Sequence, residues 1–204
     1  IGLTFSFSLM LAPWLDKTVG VSGMFFLTAI LAILGIVIIR FVVPTPEIRR
    51  RRADTSPMLA QFKRVLTHPE LLRLNFGIFI LHAILTSIFT SVPFILVKNH
   101  LDVDSHWHIY LPVMIIAFIL MVPPIAYGEK KAKLKPVFLF AIGLLILSIL
   151  SLGQTIIQNS LFFTGMSLVL FFWGFNLLEA SLPSLISKVA PADSKGTAIG
   201  IYNT

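Results

Sequence analysis

The sequence predicts an all-α fold, a polytopic helical bundle embedded in a membrane, and three observations carry that expectation. The chain has 204 residues, 56% of them hydrophobic and only 12% charged, with a mean hydropathy of +0.92. That balance leaves too little polar surface for a soluble domain. The apolar residues are gathered into runs of about 20, the length at which a helix crosses a hydrocarbon core. The lysines and arginines fall almost wholly between those runs, on one side of the threaded chain.

Taken in order, Ile1–Leu15 would rise about 22 Å as a helix, short of a core about 30 Å thick, and reads as a span cut at its start. The chain opens without Met or a charged leader and closes at Asn203-Thr204 soon after a new apolar segment begins, so it reads as an internal fragment. Fuller spans follow at Val19–Val43, Leu71–Val97, Ile109–Tyr127, Pro136–Leu152 and Leu161–Ile186, with another opening near Gly196. Pro93, Pro112, Pro123, Pro124 and Pro183 lie in these spans, each removing a backbone hydrogen bond. Gly196 and Gly200 offer a small-residue face for close helix packing.

Pro44–Glu70 is different. It is polar and basic, Pro44, Pro46, Pro57 and Pro69 break any continuous helix, and it separates two hydrophobic blocks as a linker. Inside it, Ser56-Pro57 followed by Met58, Leu59, Phe62, Val65 and Leu66 predicts a short amphipathic helix along the membrane surface. Thr67-His68-Pro69-Glu70 resembles a capping box that starts the next span.

The net charge is +7. Threading the spans puts Arg40, Arg49–Arg52, Lys63, Arg64, Arg73, Lys130, Lys131, Lys133, Lys135, Lys188 and Lys195 on one side and only Lys17 and Lys98 on the other. This is the positive-inside pattern, and it predicts that the linker and the loops around Lys130 and Lys188 are cytoplasmic. The basic character is therefore topological, with some of these cations meeting anionic headgroups of membrane lipid. No aromatic-interleaved basic platform accompanies the charge, so nucleic acid is not an expected partner.

Glu179 is the side chain that asks for a function. It lies inside Leu161–Ile186, and a carboxyl at that depth marks a substrate or proton pathway by default. Phe172, Asn176, Glu179 and Pro183 recur at helical spacing on one stripe. Asn75, His82, Thr86 and Thr90 form a comparable stripe on Leu71–Val97. At about 1.5 Å per residue Glu179 is roughly 13 Å from Lys188, while Asn75 and His82 are roughly 8 and 18 Å from Glu70, similar depths from one face. The two stripes are expected to face each other across a cavity. Glu179 then either carries a proton, neutral when sealed and ionised when wetted, or pins a gate. His82 is a second titratable candidate, or it simply bonds a backbone carbonyl. Trp173 is a candidate for an apolar pocket wall, or for ordinary packing.

Other chemistry is not supported. The chain has no cysteine, which excludes disulfides, thiolate metal sites and redox pairs. Asp102, Asp104, His106 and His108 alternate in an external loop without metal-site spacing, and a solvated loop is the simpler reading; no metal is expected. Trp107 and Tyr110 beside it suit interfacial anchors. An intramembrane enzyme would need a nucleophile elbow, a zinc motif or an aspartate dyad; Gly165-Met166-Ser167 lacks the elbow context and the spans hold one acid. A passive channel or scaffold remains the alternative to a carrier, and only a carrier drives flux uphill from a pH gradient.

Two hydrophobic blocks joined by a basic linker resemble the middle of a major facilitator superfamily transporter. The resemblance is closest to the YajR-type branch of proton-driven drug efflux carriers. It rests on Leu74-Asn75-Phe76-Gly77-Ile78, His106-Trp107, Phe175-Asn176-Leu177, Glu179-Ala180, Leu182-Pro183-Ser184-Leu185-Ile186-Ser187-Lys188 and Lys195-Gly196-Thr197-Ala198. It implies a partial superfamily fold: residues 1–43 as helices 5 and 6 of the first bundle, 44–70 as the cytoplasmic linker, and 71–204 as helix 7 to the start of helix 11. It further implies a monomer exchanging protons for an amphipathic small-molecule substrate by alternating access in a bacterial inner membrane, without a cofactor. Helices 7 and 10 line the cavity in that family, which would place Asn75, His82, Asn176 and Glu179 there, with Thr86 and Trp173 as further lining candidates. The loop Gly128–Lys133 is similar to the family's basic gating loop, with Ala132 where glycine is usual, and assigns gating to Glu129, Lys130 and Lys133. Ala12-Pro13 resembles the glycine-proline pair of the fifth-helix antiporter motif.

Overall fold

The computed structural model describes residues 2–44, 58–131, 133–192 and 194–203. Arg49–Arg52, Ser56, Pro57 and Ala132 lie outside them. The chain forms two compact units, Ile1–Arg52 and Ala53–Thr204. Among the described residues the elements are α1 (Gly2–Phe41), α2 (Met58–Thr67), α3 (Pro69–Lys98), a 3-10 turn (Val103–Ser105), α4 (Trp107–Lys130), α5 (Leu134–Gln158), α6 (Leu161–Val189) and α7 (Lys195–Tyr202). Segments Trp14–Phe41, Pro69–Lys98, Val103–Lys130, Leu134–Thr155 and Leu161–Val189 are long and apolar enough to cross a membrane. The all-helical expectation holds.

In the first unit the break between spans falls later than Asp16–Thr18. Helix runs through those residues and is interrupted at Gly20, where φ is 68° and ψ is 175°. Glycine reaches that backbone region without Cβ strain. Thr18 meanwhile returns its hydroxyl to the carbonyl oxygens of Trp14 (3.0 Å) and Leu15 (3.2 Å), so it ends no helix.

In the second unit α6 is the central element, packed by α5, α4, α3 and α7. Its most apolar stretch is 61% buried, against 33% or less for α3, α4 and α5. Leu168, Phe171, Phe172, Leu177, Leu182 and Ile186 are fully enclosed. At Gly174 a Cβ would sit 2.7 Å from the Ala141 carbonyl oxygen and 3.1 Å from Leu144 Cβ. Only a residue without a side chain lets α5 and α6 approach so closely. Polar stitching follows along the same seam: Ser148 Oγ donates to the Ser167 carbonyl at 2.8 Å, and the Ser151 and Ser167 hydroxyls pair. The Phe89 ring joins Tyr110 and Phe172, at 5.8 and 5.9 Å between centroids, tying α3 to α4 and α6. Phe76, Phe94, Ile119, Leu139, Leu150 and Phe162 are exposed, an apolar coat suited to acyl chains.

The linker region departs from expectation at two points. Thr67 does not begin a capping box: its hydroxyl donates to Lys63 O at 2.9 Å and closes α2, while the α3 N-cap is His68, extended and without a side-chain cap, with Pro69 in the first turn. The residue before proline is driven out of helical geometry, which separates the two helices there. The amphipathic α2 does more than lie along a surface. It packs on α3 and α7, with Val65 buried, Phe62 and Leu66 left exposed, and Thr197 Oγ1 donating to Gln61 Oε1 at 3.0 Å.

Candidate functional site

Three helices of the second unit supply the walls of one cavity. From α3, Asn75, Ile78, Phe79 and His82 lie on one face at helical spacing; from α6 comes Glu179; from the end of α7 come Ile201, Tyr202 and Asn203. The volume is about 420 Å³, within the roughly 300–1,000 Å³ of small-molecule sites. Asn75, His82 and Glu179 thus come together.

The electrostatic character is set by groups without partners. Asn75 Oδ1, Glu179 Oε2 and Tyr202 OH are buried and accept or donate no hydrogen bond within the described residues. Buried polar atoms are normally satisfied, so a cluster of orphans on one cavity wall points to a ligand, water or proton that visits it. His82 is held differently. Its Nδ1–H donates to the Ile78 carbonyl at 3.1 Å, which leaves Nε2 as the acceptor in the neutral ring, and its edge meets the Phe175 ring at 5.8 Å between centroids.

A second cavity, of about 310 Å³, lies among α4, α5 and α6. Glu129 and Lys188 both line it, beside Ser181 and Ser184. Lys130 and Lys133 are exposed at the turn between α4 and α5.

The sequence profile described as Major Facilitator Superfamily matches residues 1–204. The chain belongs to the Major Facilitator Superfamily. Among curated relatives it is similar to the inner membrane transport protein YajR of Escherichia coli (strain K12), 40% identical over 203 residues that cover 100% of this chain and 44% of the relative. It is also similar to an uncharacterized transporter of Buchnera aphidicola subsp. Acyrthosiphon pisum, 29% identical over 212 residues, covering 100% of this chain and 53% of the relative. A third relative, an uncharacterized transporter of Buchnera aphidicola subsp. Baizongia pistaciae, is 21% identical over 206 residues, with 100% and 52% covered. The chain spans about half the length of these relatives.

Within this superfamily segment the remaining candidates separate. Asn176 is buried one turn from Glu179 but is not among the residues lining the cavity, and its Nδ2 has no hydrogen-bond partner among the described residues. Thr86 does not line the cavity; it is exposed and donates to the His82 carbonyl at 2.9 Å. Trp173 also lies elsewhere, its ring edge-on to Phe140 of α5 at 5.2 Å between centroids. Six residues separate it from Glu179, which at 100° per residue turns it well away from the carboxyl. Tyr202 is the residue that sequence reasoning missed. His106 and His108 are engaged by backbone, Nε2 of the first with Leu101 O at 3.3 Å and Nδ1 of the second with Ser105 O at 3.1 Å.

Proposed function

We propose that this segment belongs to a proton-coupled secondary transporter that exports amphipathic small molecules by alternating access. On this reading residues 1–43 end the first helical bundle, 44–70 form a cytoplasmic linker and 71–204 begin the second bundle, in a bacterial inner membrane. One observation carries it: Glu179 places a buried oxygen, without a hydrogen-bond partner among the described residues, on the cavity shared by α3, α6 and α7. An ionised carboxylate without donors costs several kcal/mol to hold away from water. A carboxyl at a seam that opens and closes therefore exchanges its proton as its hydration changes.

Asn75 and Asn176 supply amide groups able to bond either form of the acid, and the Nε2 of His82 is a second proton acceptor on the α3 wall of the cavity. Glu129, Lys130 and Lys133 act at the cytoplasmic gate, where Glu129 shares the second cavity with Lys188. The test is uphill transport by the full-length protein in proteoliposomes under an imposed pH gradient, with lipophilic cations as substrates. Glu179→Gln is expected to abolish pH-driven accumulation while leaving the protein folded. Accumulation that persists in this variant refutes the carrier role, and flux that runs only downhill in the unmodified protein assigns a channel instead.

A further inference from the structure

Outside both cavities, the turn joining α4 to α5 bears an open apolar groove. Pro123, Pro124 and Tyr127 near the end of α4 face Pro136, Val137 and Phe140 at the start of α5, enclosing about 390 Å³. Pro123, Pro136, Tyr127 and Phe140 are exposed, as are the flanking Val122 and Leu139. Proline offers no backbone N–H, so the proline part of this wall brings no hydrogen-bond donor, and Tyr127 is the one lining residue with a polar side-chain atom. Its surroundings therefore favour a hydrocarbon occupant.

One end of the groove is marked by charge. The Lys131 ammonium lies 5.1 Å from the centroid of the Tyr127 ring, a wall of the groove, in cation–π range. Lys130, Lys133 and Lys135 are exposed around it. Pro123 lies eight residues before Lys131, about 12 Å along a helix axis, a span that reaches from the headgroup layer into the upper acyl region. Glu129, the acid of this turn, lines the cavity among α4, α5 and α6.

We propose that this groove is a binding site for one anionic phospholipid. An acyl chain lies along Pro123, Tyr127, Pro136 and Phe140, and the headgroup phosphate is held by Lys131 within the lysine cluster. A zwitterionic lipid brings a compensating cation to the same lysines. A second copy of the chain brings another lysine cluster, which repels. The inference stands whether or not Glu179 carries a proton.

The test uses the full-length transporter in nanodiscs of mixed phosphatidylglycerol and phosphatidylcholine, with retained lipids counted by native mass spectrometry after release into detergent. At least one phosphatidylglycerol should be retained in preference to phosphatidylcholine, and soluble glycerol phosphate should not displace it. A surface cation contributes about 1 kcal/mol to anionic lipid binding, which corresponds to about fivefold in affinity. Lys131→Gln should therefore lower phosphatidylglycerol retention about fivefold, Lys131→Arg should preserve it, and replacing Lys130, Lys131, Lys133 and Lys135 together by Gln should erase the headgroup preference. Equal retention of both lipids, a preference unchanged in Lys131→Gln, displacement by glycerol phosphate, or a lipid-free dimer through this face would each overturn the proposal. The single exposed substitution decides the matter if the quadruple variant does not fold.

Discussion

Replacing Tyr202 by Phe removes one oxygen from the cavity wall and leaves the buried ring in place. The lost hydroxyl is buried without a hydrogen-bond partner among the described residues. An unsatisfied buried group of this kind costs about 1–3 kcal/mol, so its removal should stabilise the resting structure by about 1 kcal/mol or more. For a domain of roughly 150–250 residues each kcal/mol moves the unfolding midpoint by about 2–4 °C. Transport should move the other way. Tyr202 and Glu179 share the cavity, and on the proposed mechanism the phenol donates to the carboxylate when it ionises. A hydrogen bond to a charged group is worth about 1.5–3 kcal/mol, so its loss slows proton-driven flux about tenfold to a hundredfold. The two readouts are thermal unfolding of the full-length protein in detergent and uptake in proteoliposomes. A lower midpoint would show that the hydroxyl is already bonded at rest. A higher midpoint with unchanged flux would remove Tyr202 from the mechanism.

Two further perturbations probe the scaffold. Gly174→Ala drives a Cβ into the Ala141 carbonyl of α5 and is expected to cost about 1–3 kcal/mol as overpacking, lowering the unfolding midpoint of the full-length protein. Gly143→Ala, which meets open space, serves as the control that should not. Ser148→Ala removes the 2.8 Å bond to the Ser167 carbonyl, and at about 0.6 kcal/mol for an interhelical bond in a membrane protein the midpoint should fall by about 1–2 °C; a rise would mean that the hydroxyl contributes nothing there.

The spans were legible because a bilayer leaves few choices: an apolar run of the right length becomes a helix, and α3, α4, α5 and α6 lie where such runs lie. Asn75, His82 and Glu179 could be grouped because polar residues within spans are rare and their depth follows from helical rise. Thr86 and Trp173 escaped that logic. Periodicity assigns a residue to a face but does not say which neighbour the face meets, and α6 is enclosed by four other helices. Tyr202 was hidden for another reason. It lies in the short segment after Gly196, where periodicity does not say which face of α7 turns inward; in the structure it sits four residues after Ala198 and both are buried. The helix boundary at Thr67 was misread since a threonine hydroxyl can cap the helix ahead or bond the turn behind, and sequence alone does not rank the two.

The placement of α2 has a mechanical consequence. This short helix packs on α3 and α7, with Val65 buried and Thr197 bonded to Gln61, and those two helices supply two of the three walls around Glu179. On the proposed alternating access, any shift of α2 would bear on those two walls directly. On that mechanism the short helix is a lever laid against two sides of the acid's chamber.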